Sequence, residues 1–276
     1  MWIRNDISEE PFVQGGYVST SEGRVHYRTS ERSDGIPMLM LHQSPLSSAQ
    51  YRRAIPELAE AGIRPFALDT PGHGSSFTPG EEWDMDRYAD TVLAVADELG
   101  LDRFVLFGRA TGATLAVETA IRGGDRIIAL PIHGLPVYRD DERAERLVDF
   151  APPLELTSDG AHVRGVWDRI MDQYPTLEPV LATQFLLDYL AAGPDYARAY
   201  RAVFRYDMPA RFPHVTQPYR IWFGEHDRLG FMRARPKEIA PDADQRQFDG
   251  EDDFVAYRDP VMFATALAEF VHEVAG

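Results

Sequence analysis

Phe104 to Gly112, FVLFGRATG, joins a short run of apolar β-branched and aromatic residues to a turn with glycine at both ends, and a helix-like stretch follows at once. A turn of the form G-x-S-x-G needs both glycines. Its central residue sits on a strained strand-to-helix corner, where neighbouring backbones leave no room for side chains. Gly108 and Gly112 meet that need, but the central position carries Ala110, which has no lone pair to attack with and no proton to lose. The layout is that of a nucleophile elbow without its nucleophile.

Working outward, Pro37 to Leu41 and Ile127 to Ile132 are apolar runs of the kind that forms strands buried on both faces of a parallel sheet. Strands are also expected at Ile63 to Leu68, Tyr219 to Phe223 and Gln245 to Phe248, and an antiparallel hairpin across Ser21-Glu22-Gly23. Helical spacing predicts helices over Ala49 to Ala61, from about Asp84 to Leu99, over the residues after Gly112, near Arg233 to Ile239, and from Pro260 onward with Asp259 as cap. From Pro136 to about Arg211 the strand–helix rhythm stops, and the sequence becomes helical and rich in aromatics, including Trp167, Tyr174, Phe185, Tyr200 and Phe204. The expected architecture is α/β: a mostly parallel twisted sheet with helices on both faces. Residues 1–135 and 212–276 would form its core, and 136–211 an inserted helical cap.

Twenty-eight basic against 44 acidic residues give a formal charge of −16, which opposes nucleic acid and anionic membrane surfaces as partners. The lack of cysteine excludes disulfides, thiolate catalysis and Cys-ligated zinc. No H-x-H or H-E-x-x-H spacing suggests a metal, and no G-x-G-x-x-G loop suggests a dinucleotide, so no cofactor is expected. The N-terminal MWIRNDISEEPF is acidic where a signal peptide is apolar, and no run approaches the roughly 18 apolar residues of a membrane span. A cytoplasmic location is expected. Oligomeric state is not readable.

Other motifs fall in an order that resembles the α/β-hydrolase superfamily over nearly the whole chain. His42-Gln43-Ser44-Pro45 is similar to its HGxP turn, Asp69 to Ser76 to its D-x-P-G-x-G-x-S loop, Gly224-Glu225-His226-Asp227 to its G-x-x-D turn, and Asp259-Pro260 with Phe263 to its D-P-x-x-F helix start. The resemblance places a nucleophile at 110 and the triad acid at Asp227. It assigns the oxyanion donors to the backbone N–H groups of Thr111 and Ser44, with Gln43 and His42 completing that substrate-side turn. The family's histidine stands some seven residues before the D-P proline. Counting back from Pro260 reaches Asp253, inside Gly250-Glu251-Asp252-Asp253-Phe254, where no histidine occurs. An engineered serine replacement would leave that histidine in place.

Other groups offer substitute chemistry. Asp253 and Asp227 are either a carboxylate pair with one raised pKa or, for the Glu251 to Asp253 run, an exposed acidic loop. His133, after a strand on the sheet edge where such folds collect catalytic groups, is a candidate base or a hydrogen-bonded loop histidine. Arg109 is either salt-bridged or an anion clamp for substrate. His42 and His73 read as structural. Three functions follow: an ester, lactone or C–C bond hydrolase with a non-standard or inactivated triad; a lyase, cyclase or decarboxylase using the same oxyanion donors; or a catalytically dead ligand-binding protein. The cap aromatics favour a small apolar or aromatic substrate.

Overall fold

The computed structural model describes residues 13–275; the N-terminal stretch MWIRNDISEEPF read above for a signal peptide lies outside them. An eight-stranded sheet runs in the order β1-β2-β4-β3-β5-β6-β7-β8. Its strands are β1 (Gln14–Ser19), β2 (Arg24–Thr29), β3 (Ile36–Leu41), β4 (Ile63–Leu68), β5 (Val105–Arg109), β6 (Leu130–His133), β7 (Tyr219–Gly224) and β8 (Gln245–Phe248). The β1–β2 hairpin joins antiparallel to β4, and every pairing from β4 to β8 is parallel. β5 carries the elbow at mid-sheet, with Gly108 in register with Leu41 on one side and Ile132 on the other.

Both faces are covered, so the central strands are apolar throughout rather than alternating. Helices α2 (Met85–Glu98) and α3 (Thr111–Gly123) cover one face, packing Tyr88, Val92, Val95, Ala113, Ala116 and Val117 on Leu39, Leu41 and Leu106. Helices α1 (Ala54–Glu60) and α11 (Pro260–Ala275) cover the other, with Ile55, Leu58, Phe263, Leu267 and Phe270 against Met38, Met40, Val105 and Phe107. Caps fall where the residue types put them. Asp84 Oδ1 accepts the Arg87 N–H at 3.0 Å, and Asp259 Oδ1 accepts that of Met262 at 2.8 Å.

The helix expected over Ala49 to Ala61 is broken into a 3₁₀ turn, Ser48–Tyr51, and α1. Pro56 has no N–H to send back to Arg52, and Ser47 starts a separate turn by accepting the Ala49 N–H at 3.2 Å. The run from Ile127 joins the sheet first through an isolated Phe104–Ile127 bridge and becomes β6 only at Leu130. Between β6 and β7 lie α4 (Asp140–Asp149), α5 (Ala161–Gln173), α6 (Pro179–Ala192), α7 (Arg198–Arg205) and α8 (Met208–Arg211). Val166, Ile170, Leu181, Phe185, Tyr189 and Tyr196 from these helices form a third apolar cluster, which reaches the sheet side through Leu46 and Phe254. Two short helices, α9 (Arg235–Ile239) and α10 (Val255–Arg258), complete the chain. Among the described residues, no helix is long and apolar enough to cross a membrane.

Candidate active site

Ala110 has φ 49° and ψ −110°, and it is the non-glycine residue with positive φ among those described. That region of backbone space costs an L-residue on the order of 1–3 kcal/mol. Its neighbours explain why both flanking positions are glycine. A Cβ on Gly108 would lie 2.3 Å from the Gly112 carbonyl oxygen, and one on Gly112 would lie 2.2 Å from that of Leu41. The corner is pinned by the Ala110 N–H donating to the His133 carbonyl at 3.1 Å and by the Ala110 carbonyl accepting from Ala113 at 2.9 Å. Thr111 opens α3, so its N–H has no acceptor within the helix. The elbow geometry is thus complete around a methyl group.

Arg109 turns inward and is 2% exposed. Its Nη2 lies 2.8 Å from Asp253 Oδ1 and 3.2 Å from Asp227 Oδ1, while Nη1 donates to the His133 carbonyl at 3.3 Å. Gly134, at φ +64°, makes room for it: a Cβ there would stand 1.9 Å from Nη1. The salt-bridged reading of Arg109 is the observed one. Both its terminal nitrogens are engaged by the protein's own oxygens, while its Nε has no protein partner.

The Asp253–Asp227 pair is also observed, and Asp253 is buried at 6% exposure, unlike an acidic surface loop. The two acids are held unequally. Burial works against ionisation of Asp227, but the Arg109 guanidinium and His133, together with the Leu229 N–H at 2.7 Å, hold its carboxyl well below the usual range. Asp253 is pushed up to about 6, first by burial and also by the Asp227 charge, against the pull of Arg109. Its Oδ1 accepts the Arg228 N–H at 2.9 Å, and its Oδ2 accepts the Tyr174 hydroxyl at 2.5 Å. Burial and the neighbouring Asp253 keep that phenol protonated far above its ordinary range.

The histidines are placed as structural groups. His42 Nε2 accepts the Thr70 N–H at 3.0 Å and Nδ1 faces the Gln43 carbonyl at 3.0 Å, so it ties the β3 turn to the β4 loop; burial keeps it neutral. His73 sits beside it at Thr70, lowered to about 3 by burial and by His42. His133 Nε2 stands 3.4 Å from Asp227 Oδ2, in a poor alignment for a hydrogen bond. Burial and Arg109 bring it down to about 4.

A cavity of about 100 Å³ opens in front of Ala110 and Thr111. Polar side chains in its lining include Gln43, Ser44, Arg109, Arg146, Gln173, Tyr174, Arg228 and Asp253, and Tyr138, Phe150, Phe185, Tyr200 and Phe204 form its aromatic wall. His133 and Asp227 do not line it; they lie behind Arg109. The candidate base of the sequence reading at His133 is therefore not brought to the cavity, whereas Asp253 is. Gln43 Nε2 and Ser44 Oγ are buried at its wall without protein partners. Among the described residues, no group of three or more His, Asp or Glu is arranged to hold a metal ion. No local motif marks Tyr174, Arg146, Tyr200 or Arg228 as site residues. The aromatic density of 136–211 was the available signal, but it does not say which rings face inward.

Comparison with known proteins identifies the fold family. The family model described as alpha/beta hydrolase fold matches residues 36–147. Haloalkane dehalogenase 2 of Mycobacterium tuberculosis is 32% identical over 252 residues, covering 84% of this chain and 82% of that protein. The chain belongs to the α/β-hydrolase fold family. A non-heme haloperoxidase of Rhodococcus erythropolis is 29% identical over 181 residues, and the match spans only 60% of that relative's length. In fold, the chain superposes on the enol-lactonase of Burkholderia xenovorans LB400 with a TM-score of 0.77 at 17% identity, over 93% of this chain and all of the other.

Proposed function

We propose that the protein hydrolyses a small ester or lactone by direct attack of water, with no covalent enzyme intermediate. The observation that carries this reading is that Asp253 and the elbow methyl of Ala110 line one cavity, with an acid raised to about 6 where the family's histidine would stand. A substrate carbonyl over the Ala110 methyl would point its oxygen at the Thr111 and Ser44 N–H groups. Asp253, ionised at neutral pH, takes a proton from water as the water oxygen bonds to the carbonyl carbon. The oxyanion rests on the two N–H donors; it collapses as the C–O bond breaks, and the Asp253 proton passes to the departing alkoxide. Asp227 and Arg109 hold Asp253 in place from behind, and helices α4–α8 serve as the cap that encloses the substrate. The enol-lactonase among the structural neighbours makes a lactone a suitable first substrate to try.

A second reading is favoured by one feature, the 2.5 Å Tyr174–Asp253 hydrogen bond. A phenol and carboxylate at that distance can deliver and remove protons at adjacent carbons, as a lyase or cyclase requires. The two are separated by following dihydrocoumarin and 4-nitrophenyl acetate through the first turnover. Direct water attack gives steady release with no burst, and no adduct with a fluorophosphonate. Ala110→Ser should remain unlabelled, since no histidine lines the cavity. A burst, or labelling of the native chain, would overturn direct attack; no turnover of either compound would favour the second reading.

A further inference from the structure

Arg146 lies in the last turn of α4 and lines the same cavity, half-buried. Every other arginine or carboxylate at that cavity is engaged. Arg109 is held by Asp227 and Asp253, Asp253 by Arg109 and Tyr174, and Arg228 donates to Gln173 Oε1 at 3.2 Å. The guanidinium of Arg146 meets aromatic faces instead: its Cζ lies 4.8 Å from the Tyr138 ring centre, 5.0 Å from Phe150 and 6.0 Å from Phe204. No carboxylate or hydrogen-bond acceptor pairs with it among the described residues.

Stacking on ring faces orients a guanidinium but leaves its N–H edge unused. The rings that hold it also continue to the elbow side. Phe150 packs edge-on to Tyr200 at 5.1 Å and to Phe204 at 5.2 Å, and the Tyr200 hydroxyl donates to the Ser44 carbonyl at 2.5 Å. Ser44 and Thr111 thus line the same cavity as this run of aromatic rings, which carries the lining through to the guanidinium of Arg146. The N–H edge of this half-buried guanidinium has no protein acceptor among the described residues and is free to pair with an anionic group that enters the cavity.

We propose that Arg146 is a specificity residue that binds the carboxylate of the substrate, so that the natural substrate is an ester or lactone bearing a free carboxylate on an aromatic or similarly flat apolar body. A carboxylate fits because its two oxygens match the guanidinium fork. This rests on the hydrolase reading for the word ester, but the recognition itself does not depend on turnover.

The test uses ligands without a scissile bond. Calorimetric titration of the full chain with 4-phenylbutyrate and with 4-phenyl-1-butanol should show the carboxylate binding at least about tenfold more tightly, the ordinary value of one charge-assisted pair at a partly buried site. Arg146→Met should abolish that preference while changing the alcohol's affinity less than about threefold. Arg146→Lys, which keeps the charge and loses the fork, should reduce the preference severalfold, and it serves alone if the methionine variant does not fold. Asp253→Asn should retain the preference, which separates this claim from the catalytic one. Equal affinities for the two ligands in the native protein, or a preference unchanged in both Arg146 variants, would overturn the proposal. So would a preference lost only in Arg228→Gln.

Discussion

Arg109 Nη2 sits 2.8 Å from Asp253 Oδ1, so that the residue just before the strained corner at Ala110 grips a buried carboxylate from the loop that precedes α10. The same guanidinium reaches Asp227 Oδ1 at 3.2 Å. Burying three charges is costly, and such a cluster is stable only while each member keeps its partners. Arg109→Met should therefore cost about 3–5 kcal/mol in urea unfolding, by leaving two buried carboxylates unpaired. Adding Asp227→Asn and Asp253→Asn to it should restore most of that loss, because the remaining groups are neutral. A triple variant no more stable than Arg109→Met would mean the cluster does not behave as one electrostatic unit.

The strained backbone at Ala110 makes a prediction opposite in sign to the usual effect of glycine. Replacing alanine by glycine normally destabilises through the unfolded chain by about 0.4–1 kcal/mol. At φ 49° and ψ −110° the relief of strain is larger. Ala110→Gly should raise the unfolding free energy by about 1 kcal/mol, and a fall of that size in urea melts would show that the corner is not strained.

A second buried acid supplies a pH-dependent test of the interface between α6 and the sheet side. Asp188 Oδ1 accepts the Ser47 hydroxyl at 2.9 Å and the Gln184 amide at 3.1 Å, while Oδ2 is buried without a partner. Burial, aided by the Asp69 charge and opposed by these hydrogen bonds and by Arg28, pushes its carboxyl up to about 6. A carboxyl raised on folding favours the native state below its ordinary pKa, and that contribution is lost as pH rises through 6. The stability of Asp188→Asn relative to the native protein should therefore increase between pH 4 and pH 8, by about 3 kcal/mol at most. A difference independent of pH would mean that Asp188 titrates normally.

Much of this site was legible in the sequence for a local reason. The elbow, the strand runs and the Asp259-Pro260 cap are each written in a few contiguous residues, and counting back from Pro260 was enough to find Asp253. What stayed open at Arg109 was closed by contacts that no local pattern encodes: Asp227 is 118 residues away, and Tyr174 meets Asp253 across 79. His133 had the right strand end for a base. The sequence could not show that Arg109, folding inward over Gly134, would stand between it and the cavity. Arg146 looks like any charged residue on the polar helix DDERAERLVD. Its approach to the rings of Tyr138, Phe150 and Phe204, which meet only in the folded chain, makes its side chain part of the cavity wall.

The catalytic claim rests on Asp253 acting as base. The direct measurement is the pH dependence of kcat/KM for dihydrocoumarin hydrolysis by the native protein and by Asp253→Asn, between pH 4.5 and 8.5. In the native protein the rate should rise with pH through about 6, as the raised Asp253 carboxyl loses its proton, and then level off. In Asp253→Asn that rise should vanish, with the plateau rate lower by roughly 10²-fold or more. A variant that hydrolyses the lactone at the native rate with the same pH profile would contradict Asp253 as the base.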